Sequence, residues 1–407
     1  MNNDDNIPDI KKRLNKINNL IRESDINYLN PLKDLNENVD TLVYHSKNDK
    51  SNNDDDNDTR SVLGKQEFNF KKVISQMGAM LSYVKSGGYG HTFKGVVKDE
   101  NGKEKYSFAV KMVAYSKKDD YGDEYNLQRP ENAELCMLKV LSYFVLKKMS
   151  PHIILPISTF YTDIKPFLTL QEKGIIDKNN TNYKEFIERY KSGKYYDNVS
   201  IIISEWADEG DLSMFLKKNY KKLNLMHWKC IFFQIISTLA VIQSKYPTFR
   251  HNDLKLNNVL ISKSSLKARQ FNINKKTYVI PSIGYMVYLW DFDFSCIQGV
   301  VENLKVHQKF FNKLNITSKQ NRYYDLHYFF GTLIRKGFLP DLLTEKCIHQ
   351  DVKDFINYVI PMEYRPYTNK KKINPKVNDK CRLQVNDELI TPFELLEHDF
   401  FKVFRKK

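Results

Sequence analysis

The run His251-Asn252-Asp253-Leu254-Lys255-Leu256-Asn257-Asn258 sets an aspartate, a lysine two residues on and an asparagine five residues on in one polar loop, just ahead of the apolar Val259-Leu260-Ile261. A carboxylate can orient a hydroxyl and accept its proton, an ammonium can neutralise phosphate oxygens, and an amide oxygen can ligate a hard cation. Those are the needs of phosphoryl transfer, in which protein supplies positioning and charge stabilisation more than covalent chemistry. Downstream, Leu289-Trp290-Asp291-Phe292-Asp293-Phe294-Ser295 offers a second acidic ligand. Asp291 is read as holding Mg2+ together with Asn258, with Asp293 as the alternative register. Upstream, Phe108-Ala109-Val110-Lys111 reads as a strand ending in lysine. The helical stretch after it carries Glu134, a carboxylate to pair with the Lys111 ammonium, with Glu131 as the alternative.

Groups so far apart in sequence need elements to position them. Short β-type runs at 80–84, 92–97 and 106–113 come first, and a helical stretch at 132–148 follows. After the strand 199–203 the pattern turns mainly helical, with a long amphipathic segment at 226–244. Between the first two strands, Ser86-Gly87-Gly88-Tyr89-Gly90 is a turn whose glycines let backbone amides approach phosphate oxygens, although Lys85 stands where a first glycine would complete the usual pattern. The fold class expected is α+β: a small β-rich lobe with one main helix at 66–205, then a mainly helical lobe at 206–407. Polar insertions interrupt the lobes at 162–197 and 262–282, and their composition assigns them no role. Residues 1–65 read as a disordered or weakly helical extension. Ile10 to Ile21 could form one short amphipathic helix, while the KNDKSNNDDDND run at 47–58 has nothing to bury.

Composition narrows the class. The chain has 407 residues and an excess of 64 Lys and Arg over 49 Asp and Glu, a net charge of +15. The surplus follows a general bias to Asn, Lys, Ile and Tyr and makes no basic-aromatic patch, so nucleic acid is not expected as a partner. Five scattered cysteines without CxxC spacing favour a reducing compartment over a disulfide frame or zinc site. No run is read as a membrane span, and the polar opening is not read as a signal peptide, so a soluble intracellular protein is expected.

Together these residues resemble the eukaryotic-type protein kinase superfamily over roughly residues 80–400. Tyr324-Asp325-Leu326-His327 is similar to the segment whose aspartate braces the catalytic loop, and the stretch from Thr391 to His398 is similar to the closing helix. Within the superfamily the chain resembles the virion serine/threonine kinases of poxviruses and their relatives in other large DNA viruses. The likeness lies in H-x-D-L-K-x-x-N, in D-F-D-F-S in place of D-F-G, and in Y-Y-D-x-H-x-F from Tyr323 to Phe329.

The resemblance implies a two-lobed kinase-like fold, ATP with Mg2+ (or Mn2+ in its place), protein substrates, and a virion or host-cytoplasmic location. It implies that Asp253 accepts the substrate hydroxyl proton, Lys255 stabilises the transferring phosphoryl group, Asn258 and Asp291 hold metal, and Lys111 with Glu134 positions ATP. Gly87, Gly88, Gly90 and Ala109 would line the nucleotide. Backbone groups of Glu205 and Ala207 would meet adenine, with Ser204 as a small residue behind it and Asp211 near the ribose. An A-P-E motif is not recognisable between Ser295 and Tyr323. Asn252 stands where many kinases carry an arginine that pairs with a phosphorylated segment, so no buried cation is expected there, and activity is expected to be constitutive. Aminoglycoside- or choline-type kinases share the H-N-D loop, and a catalytically silent scaffold is the third reading. Lys255 and the stretch from Glu205 to Phe215 favour a protein kinase, and the presence of Lys111, Asp253 and Asp291 favours an active one.

Overall fold

Alternating and β-branched runs from Ala79 onward fold as an antiparallel meander of β1 (Ala79–Ser86), β2 (Gly90–Lys98) and β3 (Glu104–Ser116). Strands β4 (Pro156–Asp163) and β5 (Tyr195–Glu205) complete one sheet of order β1-β2-β3-β5-β4. The computed structural model describes residues 7–22, 24, 26, 63–86, 90–266, 268–366 and 374–406. The acidic run at 47–58, Gly87 and Gly88 lie outside the described residues. The chain divides into an N-terminal unit, Ile7–Ser142 with Ile154–Trp206, and a C-terminal unit, Tyr143–Ile153 with Ala207–Lys407.

In the N-terminal unit β3 is the middle strand, and Phe108, Val110 and Met112 on it are fully buried. Its register sets Lys111 beside Thr92 on β2 and Ile202 on β5. Helix α2 (Phe70–Gln76) is capped by Asn69 and buries Phe70, Val73 and Ile74. Helix α3 (Pro130–Leu146) opens on proline, whose missing N–H costs nothing in a first turn. The insertion at 162–197 is folded. Its helix α4 (Thr181–Lys191) sets Tyr183 and Phe186 against the His91 ring at 5.3 and 4.7 Å, and Asn182 donates to the carbonyl of Ser86 at 3.1 Å. This insertion therefore props the β1–β2 hairpin.

The described parts of the N-terminal extension are more ordered than the disordered or weakly helical segment expected at 1–65. Helix α1 (Ile7–Ile21) buries Ile10, Arg13, Ile17 and Leu20, the spacing of one helical face, and Ile17 is only 2% exposed. Arg13 reaches Glu205 at the end of β5 through Nε at 2.8 Å and Nη2 at 2.5 Å. Lys65 is also buried and bonds the Tyr115 hydroxyl, Asn132 Oδ1 and Ser200 Oγ at 2.7, 3.0 and 2.7 Å, so this end of the extension belongs to the folded unit too.

The C-terminal unit is built on helix α6 (Leu225–Lys245), which follows α5 (Leu212–Asn219). The sequence predicts an amphipathic segment here and no membrane-length run. The helix is in fact long and apolar enough to cross a bilayer, but every residue from Cys230 to Gln243 is buried, so its apolarity fills the core. Helices α7 (Tyr324–Leu333), α8 (Gln350–Val359) and the capping-box helix α9 (Pro392–Leu396) belong to the same helical part. The pair β6 (Val259–Lys263) and β9 (Tyr285–Leu289) follows the polar loop and leads into the Asp291 segment. The insertion at 262–282 contributes the hairpin of β7 (Ala268–Ile273) and β8 (Lys276–Pro281). Phe271 and Tyr278 of this hairpin pack on Phe233 of α6, and the Tyr278 hydroxyl donates to Glu397 at 2.8 Å.

Candidate active site

The candidate residues gather in two clusters, one in each unit. In the N-terminal unit, Lys111 extends from mid-β3, where pairing on both sides fixes its backbone. Its ammonium donates to both oxygens of Glu134, at 2.6 and 2.8 Å. The Glu134 side chain is 2% exposed, so the carboxylate has left water and needs this cation. Glu131, the alternative partner, turns to Arg129 at 3.3 Å and to the Ser116 N–H at 3.4 Å.

Ala109 is buried and lies opposite Ser204 across the β3–β5 ladder. Ser204 is wholly buried, and its Oγ has no hydrogen-bond partner among the described residues. At Gly90 a Cβ would stand 2.3 Å from the carbonyl oxygen of Met112, so close strand approach by itself demands glycine there. Glu205 uses its carboxylate on Arg13 and on the Leu155 N–H, and its own N–H on the Leu155 carbonyl.

In the C-terminal unit, Ala207 is buried, and Asp211 caps α5 by accepting from the Met214 N–H at 2.9 Å. The loop is held from beneath. Asp325 on α7, fully buried, accepts the N–H groups of His251 and Asn252 at 2.7 and 2.9 Å. Burial pushes the Asp325 carboxyl above the usual carboxylate range, and these donors and His251 oppose that shift. Asn252 adopts φ 63°, a left-handed turn that Asn tolerates, and this lets Asp253 follow immediately.

Asp253 is the hub of the loop. Its Oδ2 accepts from Lys255 Nζ at 2.7 Å and from Asn258 Nδ2 at 3.0 Å, and its Oδ1 accepts from Arg382 Nη2 at 2.6 Å. Asn258 also donates to the Asp253 carbonyl at 2.8 Å, which commits its nitrogen and orients its amide. The Trp290 N–H donates to the Asn258 carbonyl, and the Trp290 carbonyl meets His251 Nε2, so the loop and the Asp291 segment are stitched together. Asp291 sits at φ 65°, in the left-handed region. Asp293 instead forms an ion pair with Lys305, whose side chain is 2% exposed and lies over the Phe294 ring.

Two arginines of this unit are absent from the sequence reading. Arg382 enters from far along the chain. Arg250 is fully buried and corrects the expectation of no cation behind the segment from Ser295 to Tyr323: it donates to Thr317 Oγ1 and the Lys319 carbonyl at 3.2 Å each, and to the Asn315 carbonyl at 2.7 Å. The neutral Asn252 side chain donates to the carbonyls of Phe294 and Thr317, both at 3.0 Å. The only hint in the sequence was that Arg250 directly precedes the motif.

The two units are the two lobes of a protein-kinase-like fold. The family described as poxvirus serine/threonine protein kinase matches residues 123–392. A "putative serine/threonine-protein kinase" of Acanthamoeba polyphaga mimivirus is 41% identical over 86% of this chain and 76% of its own length. Serine/threonine-protein kinase 2 of swinepox virus is 32% identical over 43% of this chain and 39% of its own, and the vaccinia virus protein of that name is 29% identical over 48% and 43%. The chain belongs to the poxvirus serine/threonine protein kinase family. It is an enzyme of that class, a serine/threonine protein kinase of the kind found in large DNA viruses.

Proposed function

We propose that this chain transfers the γ-phosphate of ATP to serine or threonine hydroxyls of proteins, with Asp253 as the base that receives the hydroxyl proton. The observation that carries this reading is the grip on Asp253 by Lys255 and Asn258, at 2.7 and 3.0 Å. A carboxylate has about four lone-pair positions. The donors Arg382, Lys255 and Asn258 take three, which leaves room for a hydroxyl. Lys255 stands beside the acceptor and can follow the negative charge as it moves onto the transferring group.

In the other unit the Lys111 ammonium, held by Glu134, is the cation for the nucleotide phosphates. Ser204, with its unpartnered buried hydroxyl, suits the wall behind adenine. Asn258 has its amide nitrogen committed and its Oδ1 left as a hard donor, and with the Asp291 carboxylate it makes an oxygen set that fits Mg2+. Bound there, Mg2+ would neutralise phosphate oxygens. A virion or host-cytoplasmic location rests on the family likeness.

The test is transfer of radiolabelled phosphate by the full purified chain to basic and acidic proteins, with aminoglycosides and choline in parallel. Protein labelling that is lost in Asp253→Asn is expected. Labelling of the small acceptors alone would replace this reading with a small-molecule kinase, and no labelling of any acceptor would leave a scaffold.

A further inference from the structure

We infer that Arg382 is a positioning residue for the transfer, one that fixes the carboxylate of Asp253 from a strap C-terminal to the helical core. The inference rests on the functional reading above. Arg382 is buried and has four polar or aromatic partners: Asp253 Oδ1 at 2.6 Å, the Asn252 carbonyl at 2.5 Å, the Tyr324 hydroxyl at 3.0 Å, and the Tyr328 ring with its centroid 4.2 Å away. A planar guanidinium held at three donor contacts and one face can scarcely rotate. The carboxylate it grips is therefore confined to one orientation, with Oδ2 turned to Lys255 and Asn258.

An arginine on a catalytic carboxylate could instead be a plug that leaves when substrate arrives, but the build of the strap argues against release. A turn closed by Asn378 presents the arginine: the Asn378 N–H donates to the Arg382 carbonyl at 3.0 Å, and Asn378 Oδ1 accepts the Arg382 N–H at 2.9 Å. Cys381 and Leu383, which flank it, are buried, and a Cβ at Gly331 of α7 would stand 3.3 Å from that of Cys381. Further along, Asn315 donates to the Leu383 carbonyl, the Arg322 guanidinium pairs with Glu388, and the Tyr364 hydroxyl donates to Asp387. The strap thus ties the Asp253 loop to the segment ahead of α7. Displacing Arg382 would unmake much of that packing and leave a buried guanidinium without partners.

The experiment measures steady-state kinetics of full-length Arg382→Met, Arg382→Lys and Tyr324→Phe against Mg-ATP and a protein acceptor, with nucleotide affinity read separately by thermal shift. In Arg382→Met, kcat should fall by roughly 10² while KM for ATP and the nucleotide shift stay within about twofold, because ground-state nucleotide binding does not involve Asp253. Lysine restores charge without the fork, so Arg382→Lys should recover part of kcat. Tyr324→Phe removes one contact and keeps the fold, and it should lower kcat by roughly two- to fivefold without moving KM. If the Arg382 variants do not fold, Tyr324→Phe decides alone, and an unchanged kcat there overturns the inference. A wild-type kcat in folded Arg382→Met also overturns it, and a raised kcat would make the strap an autoinhibitory plug. If wild-type protein labels no acceptor, the functional reading fails and this inference fails with it; if wild type is active and the variants match it, the inference alone fails.

Discussion

The N-terminal unit pairs the Lys111 ammonium with the buried Glu134 carboxylate, whereas the C-terminal unit holds Asp253 in a network of three donors drawn from its own loop and from Arg382. The Glu134 carboxylate is almost wholly out of water, so losing the Lys111 ammonium from it is costly. A network spreads the loss, since Arg382 also holds the Asn252 carbonyl and the Tyr324 hydroxyl, and Asn258 also holds the Asp253 carbonyl. The pair should therefore couple activity tightly to stability, while the network should let activity be lost with the fold intact.

The largest expected effects test that contrast directly. Asp253→Asn keeps the size of the side chain and an acceptor oxygen but removes the proposed base, so transfer should fall by at least roughly 10² while the melting temperature and ATP binding change little. Lys111→Met should cut transfer by a similar factor and also strip Glu134 of its cation, at about 3 kcal/mol or more for a broken buried pair. Thermal melts of the two proteins side by side check this. Equal losses of stability would remove the distinction between pair and network, and near-normal transfer by Asp253→Asn would remove the proposed base.

Next in size is the metal register. Asp291→Ala should abolish Mg2+-dependent transfer, because its carboxylate is the acidic member of the proposed oxygen set with Asn258. Asp293→Asn should keep substantial activity, since Asp293 is occupied by Lys305, and should show its cost in stability, as a buried ammonium loses its counter-charge. Metal titrations of transfer by both variants decide the matter, and the reverse ranking would move the ligand to Asp293.

A smaller effect is expected at Arg13. Its bidentate contact ends on Glu205, the strand residue proposed to meet adenine through its backbone. Arg13→Ala should destabilise the fold by about 1–2 kcal/mol and raise KM for ATP several-fold, with little change in kcat. A chain begun near residue 62 should lose more, because it also forfeits the burial of Ile10, Ile17 and Leu20. A truncated protein with full stability and unchanged KM would return α1 to the status of an appendage.

What was legible in the sequence follows a physical divide. Lys111, Glu134, Asp253, Asn258 and Asp291 lie in short motifs whose spacing is set by one strand, one helix or one loop, so local pattern carries them. Arg382 meets Asp253 across 129 positions and Arg13 meets Glu205 across 192, and no periodicity encodes the partner of a charged side chain at such range. The signal available for Arg13 was a cation on the apolar face of Ile10, Ile17 and Leu20, the arrangement that requires a buried partner. Helix α6 misled for a related reason: a helix buried nearly all round has no polar face, and only tertiary packing distinguishes it from a span. The insertion at 162–197 looked polar overall because its buried residues, among them Ile164, Phe167, Leu170, Tyr183 and Phe186, are spread singly among polar ones.

The smallest effect compares the two units through a matched pair of histidines. His91 in the N-terminal unit and His327 in the C-terminal unit are both lowered by burial from the ordinary 6.5 to about 4, and the backbone carbonyl of Tyr364 only partly opposes this at His327. Each is therefore neutral when folded at neutral pH. His327 holds the Tyr364 carbonyl at 2.7 Å through Nε2, and His91 sits among Tyr83, Tyr183 and Phe186 with Nδ1 at 3.1 Å from Ser86 Oγ. Between pH 6.5 and 4 the unfolded chain binds the proton that the folded chain refuses, so stability is fully present above about pH 6.5 and declines as the pH falls. The loss should be about 1.4 kcal/mol per histidine at pH 5.5 and approach about 3 kcal/mol near pH 4. Melts of wild type, His91→Phe and His327→Phe from pH 7.5 to 5 measure it, and each variant should flatten the slope by its own share. The β1–β2 hairpin leans on His91 through α4, so acid should also raise KM for ATP in wild type and less so in His91→Phe. A slope unchanged by either substitution would mean that the acid sensitivity arises elsewhere and that neither histidine is the group refusing the proton.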